Sequence, residues 1–394
     1  MKKYKLIPVI IFTFLFSGCR KDFPASLNPN DQTAVTSWAY AFDSFWTGMN
    51  YNYVFWDIDP TDWDKVYTDY MPLFEELDIN DPNDTKRAYE LFSGLTSTLI
   101  DHHFSLTFSD GTVISPASRE IMSRDYYHDP ISDEGLERIE FGNMQKGRIK
   151  NYVRGAFDLG EKDGTIKVAS YDIDNGIIYF RFNQYALMKL IEKDKKDENA
   201  YLAFKNFIDM LENTSEIKGV VIDVRSNGGG DTRDLDLVLG SFVSRDHHFA
   251  YTRSKKGMGR LDYAVWQPYM LHSMDNEREI KAPVVMLTDL WSGSMSEITT
   301  MAALTLPNGY SVGERTYGAH GPLASEFKIF YSGSFGNGFY SVRTSTLMNK
   351  DLNGNKYEGI GITPTIESLF DKQQFESGND TQLERALQFI KTGN

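Results

Sequence analysis

Three serines between a strand pattern and a helix pattern could supply a nucleophile. Ser292, Ser294 and Ser296 follow the apolar run Val284–Leu287 and precede a helical pattern that begins at Ile298. That order predicts a strand, a tight turn and a helix. A hydroxyl at such a turn is exposed, and the free N–H groups and dipole of the helix can stabilise a developing negative charge. The segment therefore suits a serine that attacks a carbonyl, although a serine at a helix start can also act only as a cap.

A run of glycines follows a second strand pattern. Gly228, Gly229 and Gly230 come after the apolar residues Val220–Val224. Glycine permits positive φ and close backbone approach, and successive amides in such a turn form an anion-binding concavity. A dinucleotide-binding loop would need a further glycine where Arg233 stands, and no Gly-Lys-Ser/Thr follows. We expect Gly228 or Gly229 to donate an amide to an oxyanion, with a plain structural turn as the alternative.

Adjacent histidines form the third motif, Asp101-His102-His103. It is predicted at the end of a helix that Asp84 caps and that buries Ala88, Leu91, Phe92, Leu95 and Leu99. Adjacent histidines point in different directions, and neither His-Glu-x-x-His nor a Cys–His cluster is present, so no metal site is predicted. One histidine could be a general base if it lies within hydrogen-bond reach of the serine hydroxyl; otherwise it is structural.

The composition and the N-terminal residues restrict the class of protein to which this chain can belong. The chain has 394 residues and a formal net charge of −14, which argues against nucleic acid as a partner. Lysines precede the short apolar stretch Leu6–Phe16, which ends in Ser17-Gly18-Cys19, and this pattern predicts an export signal. Cys19 is the single cysteine, so no internal disulfide can form. Its position resembles the lipobox of bacterial lipoproteins, which implies a lipid anchor on Cys19; an ordinary signal peptide is the alternative.

Strand and helix patterns alternate through the second half of the chain. Strands are predicted at 177–182, 220–224, 284–288 and 310–313, with helical patterns at 198–212, 235–242 and 296–306. That alternation predicts a parallel sheet covered by helices.

Four blocks in a fixed order resemble the S41 serine peptidases. They are Val221–Gly230, Ser292–Ile298, Gly313–Gly318 and Glu358–Pro364. The resemblance implies an α/β fold with a ClpP/crotonase-like catalytic core and an N-terminal helical region. The expected division is a signal peptide at 1–18, a tether at 19–32, the helical region at 33–104, an intervening segment without a clear PDZ signature at 105–170 and the catalytic domain at 171–394.

The resemblance also implies roles for single residues. It places the nucleophile on Ser294 and the oxyanion hole on Gly228 or Gly229 with the amide of Met295. One design in the family uses a lysine as base, but Ala319 occupies that position and Lys328 is out of register. The other design, tricorn-like, places the base on His103 and its orienting carboxylate on Glu358. His320 is the alternative base, and His102 stands where tricorn-like members carry a helper serine.

The function expected from these residues is peptide-bond hydrolysis in the cell envelope by a serine endopeptidase. The substrate would be a peptide or protein, and no cofactor or metal is expected; the oligomeric state stays open. A catalytically inactive S41-fold lipoprotein that binds a ligand or protein is the main alternative. A carbohydrate-active protein is a further alternative, although no pair of carboxylates is singled out by its surroundings.

Overall fold

A computed structural model describes residues 34–193, 198–257, 259–274, 279–323 and 332–394. The helices are α1 (Trp38–Asn52), α2 (Trp63–Glu75), α3 (Pro82–Leu95), α4 (Ala117–Met122), α5 (Asp133–Gln145), α6 (Leu187–Glu192), α7 (Asn199–Asn213), α8 (Asp234–Leu239), α9 (Met295–Ala303), α10 (Lys372–Glu376) and α11 (Thr381–Thr392). The predicted signal peptide, tether and lipidated Cys19 lie outside the described residues, as does Lys328.

The strands form three sheets. They are β1 (Ser105–Phe108), β2 (Val113–Ile114), β3 (Ile149–Gly160), β4 (Gly164–Ile173), β5 (Ile177–Phe182), β6 (Gly219–Asp223), β7 (His247–Ser254), β8 (Gln267–Leu271), β9 (Val284–Thr288), β10 (Gly309–Gly313), β11 (Phe335–Gly336), β12 (Tyr340–Arg343), β13 (Leu347–Asp351) and β14 (Ile366–Glu367).

The largest sheet confirms the predicted parallel arrangement. Its seven strands run in the order β14-β10-β9-β6-β5-β4-β3. The five strands from β14 to β5 are parallel, whereas β4 and β3 are antiparallel additions at one edge. The boundary predicted between residues 170 and 171 falls inside β4, so the segment before it shares a sheet with the predicted catalytic domain.

Both faces of this sheet are buried, which explains the near-continuous apolar strand patterns. Successive side chains of β5 point to opposite faces. Ile178 and Phe180 pack into one core with α7 and α9, while Ile177 and Tyr179 pack into a second core with α11. Because β6, β9 and β10 are parallel, their carboxyl ends lie at the same edge of the sheet. The loops that follow them there can carry functional residues.

The N-terminal helices build a separate aromatic core. Phe42, Phe45 and Phe92 are fully buried there, and Phe335 and Tyr340 from the C-terminal half complete it. The predicted cap was wrong by three residues: Asp81 caps α3, accepting a hydrogen bond from the Asn83 amide at 2.8 Å. Pro82 explains the earlier start, because its fixed φ and missing N–H suit the first helical position.

The histidine motif does not lie on a helix as predicted. α3 ends at Leu95, and Asp101-His102-His103 forms a turn that leads into β1. β1 belongs to a four-stranded sheet ordered β11-β12-β1-β2, in which Ser105 pairs with Arg343. That pairing holds the histidine turn against the C-terminal half of the chain.

Within the described ranges, no helix combines the length and the apolar character needed to cross a lipid bilayer.

Candidate active site

Ser294 occupies a strained turn between β9 and α9. Its φ of +55° and ψ of −115° are uncommon for a residue with a side chain, and such strain tends to persist where the surrounding structure enforces it. α9 begins at Met295 and ends at Ala303, a little earlier than the sequence predicted at its far end. The Ser294 amide donates to the Glu297 carboxylate at 3.1 Å, which fixes the turn.

The two neighbouring serines have structural partners. The Ser292 hydroxyl donates to the Val224 carbonyl at 2.8 Å, and the Ser296 hydroxyl donates to the Asn227 carbonyl at 2.7 Å. Both side chains are fully buried, whereas Ser294 is half-buried. Of the three serines, Ser294 is therefore the one whose hydroxyl is placed to meet a substrate.

The glycine loop packs directly on this turn. Gly229 has φ +94°, and a Cβ built on it would lie 2.6 Å from both the Met295 amide nitrogen and the Ser294 Cβ. Its own N–H donates to the Asn227 side chain at 2.9 Å, so the expectation that Gly229 donates to an oxyanion is not met in this geometry. The amides of Gly228 and Met295 have no acceptor among the described residues. Gly229 thus supplies space, while Gly228 and Met295 keep free donors.

A chain of hydrogen bonds holds the His103 imidazole. Asp101 accepts from the His103 amide and from the Ser345 hydroxyl, each at 2.9 Å. The Ser345 oxygen lies 3.4 Å from His103 Nδ1. Because Ser345 donates to Asp101, its oxygen is left to accept from an Nδ1–H group. This arrangement favours the tautomer whose Nε2 carries a lone pair, the form a general base requires.

Glu358 lies close to the imidazole but binds backbone. Its carboxylate accepts from the amides of His102 at 2.9 Å, His320 at 2.8 Å and Gly321 at 2.6 Å. No hydrogen bond joins it to the His103 ring in the part of the chain that the structure describes. Glu358 therefore fixes the two histidine-bearing loops against each other, and the direct orienting contact expected from the sequence is made by Ser345 instead. Burial raises the pKa of Glu358 above its ordinary value.

The same cluster has the spacing of a metal site. One ligand atom each from Asp101, His103 and Glu358 lie within 4.8 Å of one another. Both oxygens of each carboxylate already accept hydrogen bonds from backbone or hydroxyl groups. A metal ion would have to replace several of these bonds, so the donor set fits a hydrogen-bonded imidazole better.

Burial keeps His103 neutral. It lowers the pKa of His103 to about 4, and the positive charge of Arg343 acts in the same direction while Asp101 opposes it. A neutral imidazole at physiological pH can accept a proton, which is what a general base must do.

The other two histidines are placed differently. His320 is 2% exposed, and neither of its ring nitrogens has a partner among the described residues. His102 Nδ1 lies 2.9 Å from the Tyr317 carbonyl, so its ring is committed to the neighbouring loop. His103 is half-buried and its Nε2 has no hydrogen-bond partner within the described ranges, so of the three it is the imidazole best placed to meet a substrate.

Glu297 is a site residue to which the sequence analysis gave no role. Besides the Ser294 amide, it accepts from the amides of Gly318 and Ala319, each at 2.8 Å, and from the Thr316 hydroxyl at 2.6 Å. Burial raises its pKa to about 7, although these donors oppose the shift. Glu297 therefore connects the nucleophile turn to the loop of Ala319, the position at which the resemblance led us to look for a lysine. The Ser-x-x-Glu pattern of a capping box was the signal that could have revealed it.

A cleft of about 820 Å³ lies beside the end of the glycine loop, and neither Ser294 nor His103 is among its lining residues. Gly230, Arg233 and Tyr185 line one wall, and Pro322 and Arg343 line another. In the described residues no hydrogen bond joins the Ser294 hydroxyl to an imidazole. Catalytic hydrogen bonds are often long in an empty site and tighten when substrate binds.

Known proteins resemble this chain in sequence. The chain is 25% identical over 201 residues to a carboxy-terminal-processing protease of Bartonella bacilliformis, covering 51% of this chain and 41% of that protein. It is 20% identical over 283 residues to the tricorn protease of Thermoplasma volcanium, covering 66% of this chain and 25% of that protein. The chain spans between a quarter and about half the length of the curated relatives it matches.

The fold of the chain and a family model point to the same group of proteins as these relatives. The crystal structure of a candidate peptidase from Parabacteroides merdae superposes with a TM-score of 0.66 at 22% identity, covering 91% of this chain and 98% of that one. The family model described as Peptidase family S41 matches residues 177–368, from the start of β5 to just past β14. The chain therefore carries a domain of peptidase family S41 and is homologous to the tricorn and C-terminal processing proteases.

Proposed function

We propose that this chain is a serine endopeptidase with Ser294 as nucleophile and His103 as general base. One observation carries the proposal: Gly229 packs on the strained Ser294 turn, and the Met295 and Gly228 amides have no acceptor in the described part of the chain. Acyl transfer requires a nucleophilic hydroxyl and N–H donors that are available to the oxyanion.

The chemistry follows from these positions. Nε2 of His103 takes the hydroxyl proton as Ser294 Oγ attacks the peptide carbonyl, and it returns that proton to the leaving amine. The Met295 and Gly228 amides hold the oxyanion of the tetrahedral intermediate. Water then attacks the acyl-serine ester with His103 again as base. Asp101 and Ser345 keep the imidazole in the required tautomer. Glu297 and Glu358 hold the loops around Ser294 and the histidines in place.

The proposal places the enzyme in the bacterial cell envelope, held by a lipid on Cys19. The lipobox-like pattern that ends at Cys19 supports this location. Labelling with a radioactive fatty acid in a bacterial host tests it: label that a Cys19→Ser variant retains would contradict lipidation at this position.

A fluorophosphonate probe tests the nucleophile and base together. Wild-type protein should be labelled and should cleave an unstructured peptide, whereas Ser294→Ala should do neither. His103→Ala should lose most of both activities. Ser123→Ala and His272→Ala are matched controls on exposed parts of the surface, and both should behave like wild type. Undiminished labelling of a folded Ser294→Ala variant would refute the proposal.

Ligand binding without catalysis is the second candidate function. Among the described residues no hydrogen bond joins the Ser294 hydroxyl to an imidazole, and this favours the second candidate. Folded wild-type protein that binds peptides but reacts with no fluorophosphonate would support this candidate over the first.

A further inference from the structure

The Arg343 guanidinium lines the cleft of about 820 Å³ and has no partner in the part of the chain that the structure describes. Arg343 is the last residue of β12, it is exposed, and it lines the cleft together with Gly230. Its side chain makes no ion pair and donates no hydrogen bond to any described residue. Other arginines at the cleft or near it have partners; Arg233, for example, pairs with Asp231 and Glu192.

The cleft is locally positive on an acidic protein. Four basic side chains and two acidic ones line it, which gives a net charge of +2. The whole chain carries −14. A concave patch of opposite sign to the rest of the surface concentrates anionic ligands. Lys189 is already paired with Asp163 at 2.8 Å. Lys162 and Arg343 have no ion pair among the described residues, and of these two only Arg343 acts on the His103 imidazole.

Arg343 is also close to the proposed base. It pairs with Ser105 across the β1–β12 ladder, and only Phe104 separates Ser105 from His103. The Arg343 charge also acts on the His103 imidazole, so the two side chains lie near each other.

We infer that Arg343 binds a carboxylate of the peptide substrate, and that this site selects acidic over neutral peptides. That this contact determines substrate specificity rests on the proposed peptidase function. The carboxylate is either an Asp or Glu side chain near the scissile bond or the free C-terminus of the peptide. A planar guanidinium matches both by two parallel N–H···O bonds, a geometry that lysine cannot reproduce.

The test uses fluorogenic peptides of one sequence that wild type cleaves. In one arm a single Asp replaces Asn at successive positions around the scissile bond. In the other arm the C-terminus is a free acid or an amide. The readout is the ratio of kcat/KM for the acidic peptide to that for its neutral match. Using a ratio cancels any effect of Arg343 on the pKa of His103, because both peptides meet the same enzyme.

Wild type should prefer the carboxylate-bearing peptide by about ten-fold or more in one arm, as expected for a hydrogen bond to a charged group. Arg343→Gln should bring that ratio close to one, and Arg343→Lys should retain only part of it. Arg245→Gln removes the same charge from an exposed site that does not line the cleft, and it should keep the wild-type ratio. The arm that shows the preference identifies the source of the carboxylate.

Two results would overturn the inference: a wild-type ratio near one in both arms, or an unchanged preference in Arg343→Gln. Fluorescence anisotropy with the same labelled peptides and the Ser294→Ala variant separates this question from catalysis. If wild type cleaves no peptide, the proposed function fails, yet a charge-selective affinity that depends on Arg343 would still support the carboxylate site.

Discussion

At the scale of single residues, Gly229 and Gly228 offer a matched pair. Gly229→Ala should lower kcat/KM by about 10²-fold or more, because its methyl group would cover the Met295 amide and φ of +94° strains a side chain. Gly228→Ala should change kcat/KM little, since a Cβ there meets nothing within 4 Å and the amide is kept. Steady-state hydrolysis and a melting curve for both variants provide the measurement. Equal activity of the two variants would contradict the assigned oxyanion site.

The pH dependence of activity reports on the base. His103 must be neutral to accept a proton, and burial lowers its pKa to about 4. Activity should therefore persist as pH falls below 6.5, and the acid limb of kcat/KM should lie nearer 4 than 6.5. The profile is measured on a peptide without ionisable side chains.

His320→Gln is the comparison for that profile, because burial lowers the pKa of His320 to about 4 as well. With His103 as base, the acid limb should keep its midpoint in this variant. A midpoint that moves, or activity that vanishes, would transfer the role to His320.

At the scale of elements, one arginine after α4 fixes the loop that faces the nucleophile turn. The buried Arg124 guanidinium donates to the carbonyls of Thr316 at 2.8 Å and Tyr317 at 3.1 Å, and it pairs with Glu120. Tyr317 precedes Gly318, whose amide shares Glu297 with Ser294. A short helix outside the matched family region thus positions part of the site.

Arg124→Ala should lower kcat more than it raises KM, because the loop loses its support while the cleft remains. Unpaired carbonyls should also cost about 1–3 kcal/mol of stability. Michaelis–Menten kinetics and chemical denaturation measure the two effects. Arg138→Ala, on the exposed face of α5, is the control and should match wild type. Wild-type kcat in a destabilised Arg124→Ala protein would show that the contact is structural only.

At the scale of the whole molecule, a buried ion pair joins the central sheet to the C-terminal helix. Arg225 follows β6 and is fully buried, donating to Asp223 at 2.6 Å and to Asp380 at 2.8 Å. Asp380 is also the cap of α11. The pair therefore holds the glycine loop to a helix at the far end of the chain.

Arg225→Met should lower the free energy of unfolding by about 3–5 kcal/mol, since it leaves the buried Asp380 without its cation and Asp223 with only Arg181, at 3.4 Å. Urea denaturation followed by circular dichroism provides the measurement. Lys205→Met removes an exposed pair with Asp209 and should have no measurable effect. A loss in Arg225→Met as small as in the control would mean that Asp223 and Asp380 are satisfied by other groups.

The sequence by itself determined the central strands, and its resemblance to the S41 peptidases supplied Ser294 as the candidate nucleophile. The parallel strands, the Ser294 turn and the glycine loop were predictable because apolar periodicity and turn residues act over a few neighbouring positions. The histidine motif was placed less well. The segment 105–170 has no clear periodicity, and a helix pattern alone did not show that α3 stops at Leu95.

Only the tertiary structure decided which groups meet. Ser345 lies 242 positions from His103, and its contact with the imidazole depends on pairing between β1 and β12. The Asn227 side chain accepts from the Gly229 amide and so removes that amide as an oxyanion donor. Glu358 accepts from His102 and His320, which lie on loops from the two halves of the chain. Each such contact acts over a few ångströms in space but joins residues that are far apart in the sequence. A pattern of neighbouring residues therefore does not predict it.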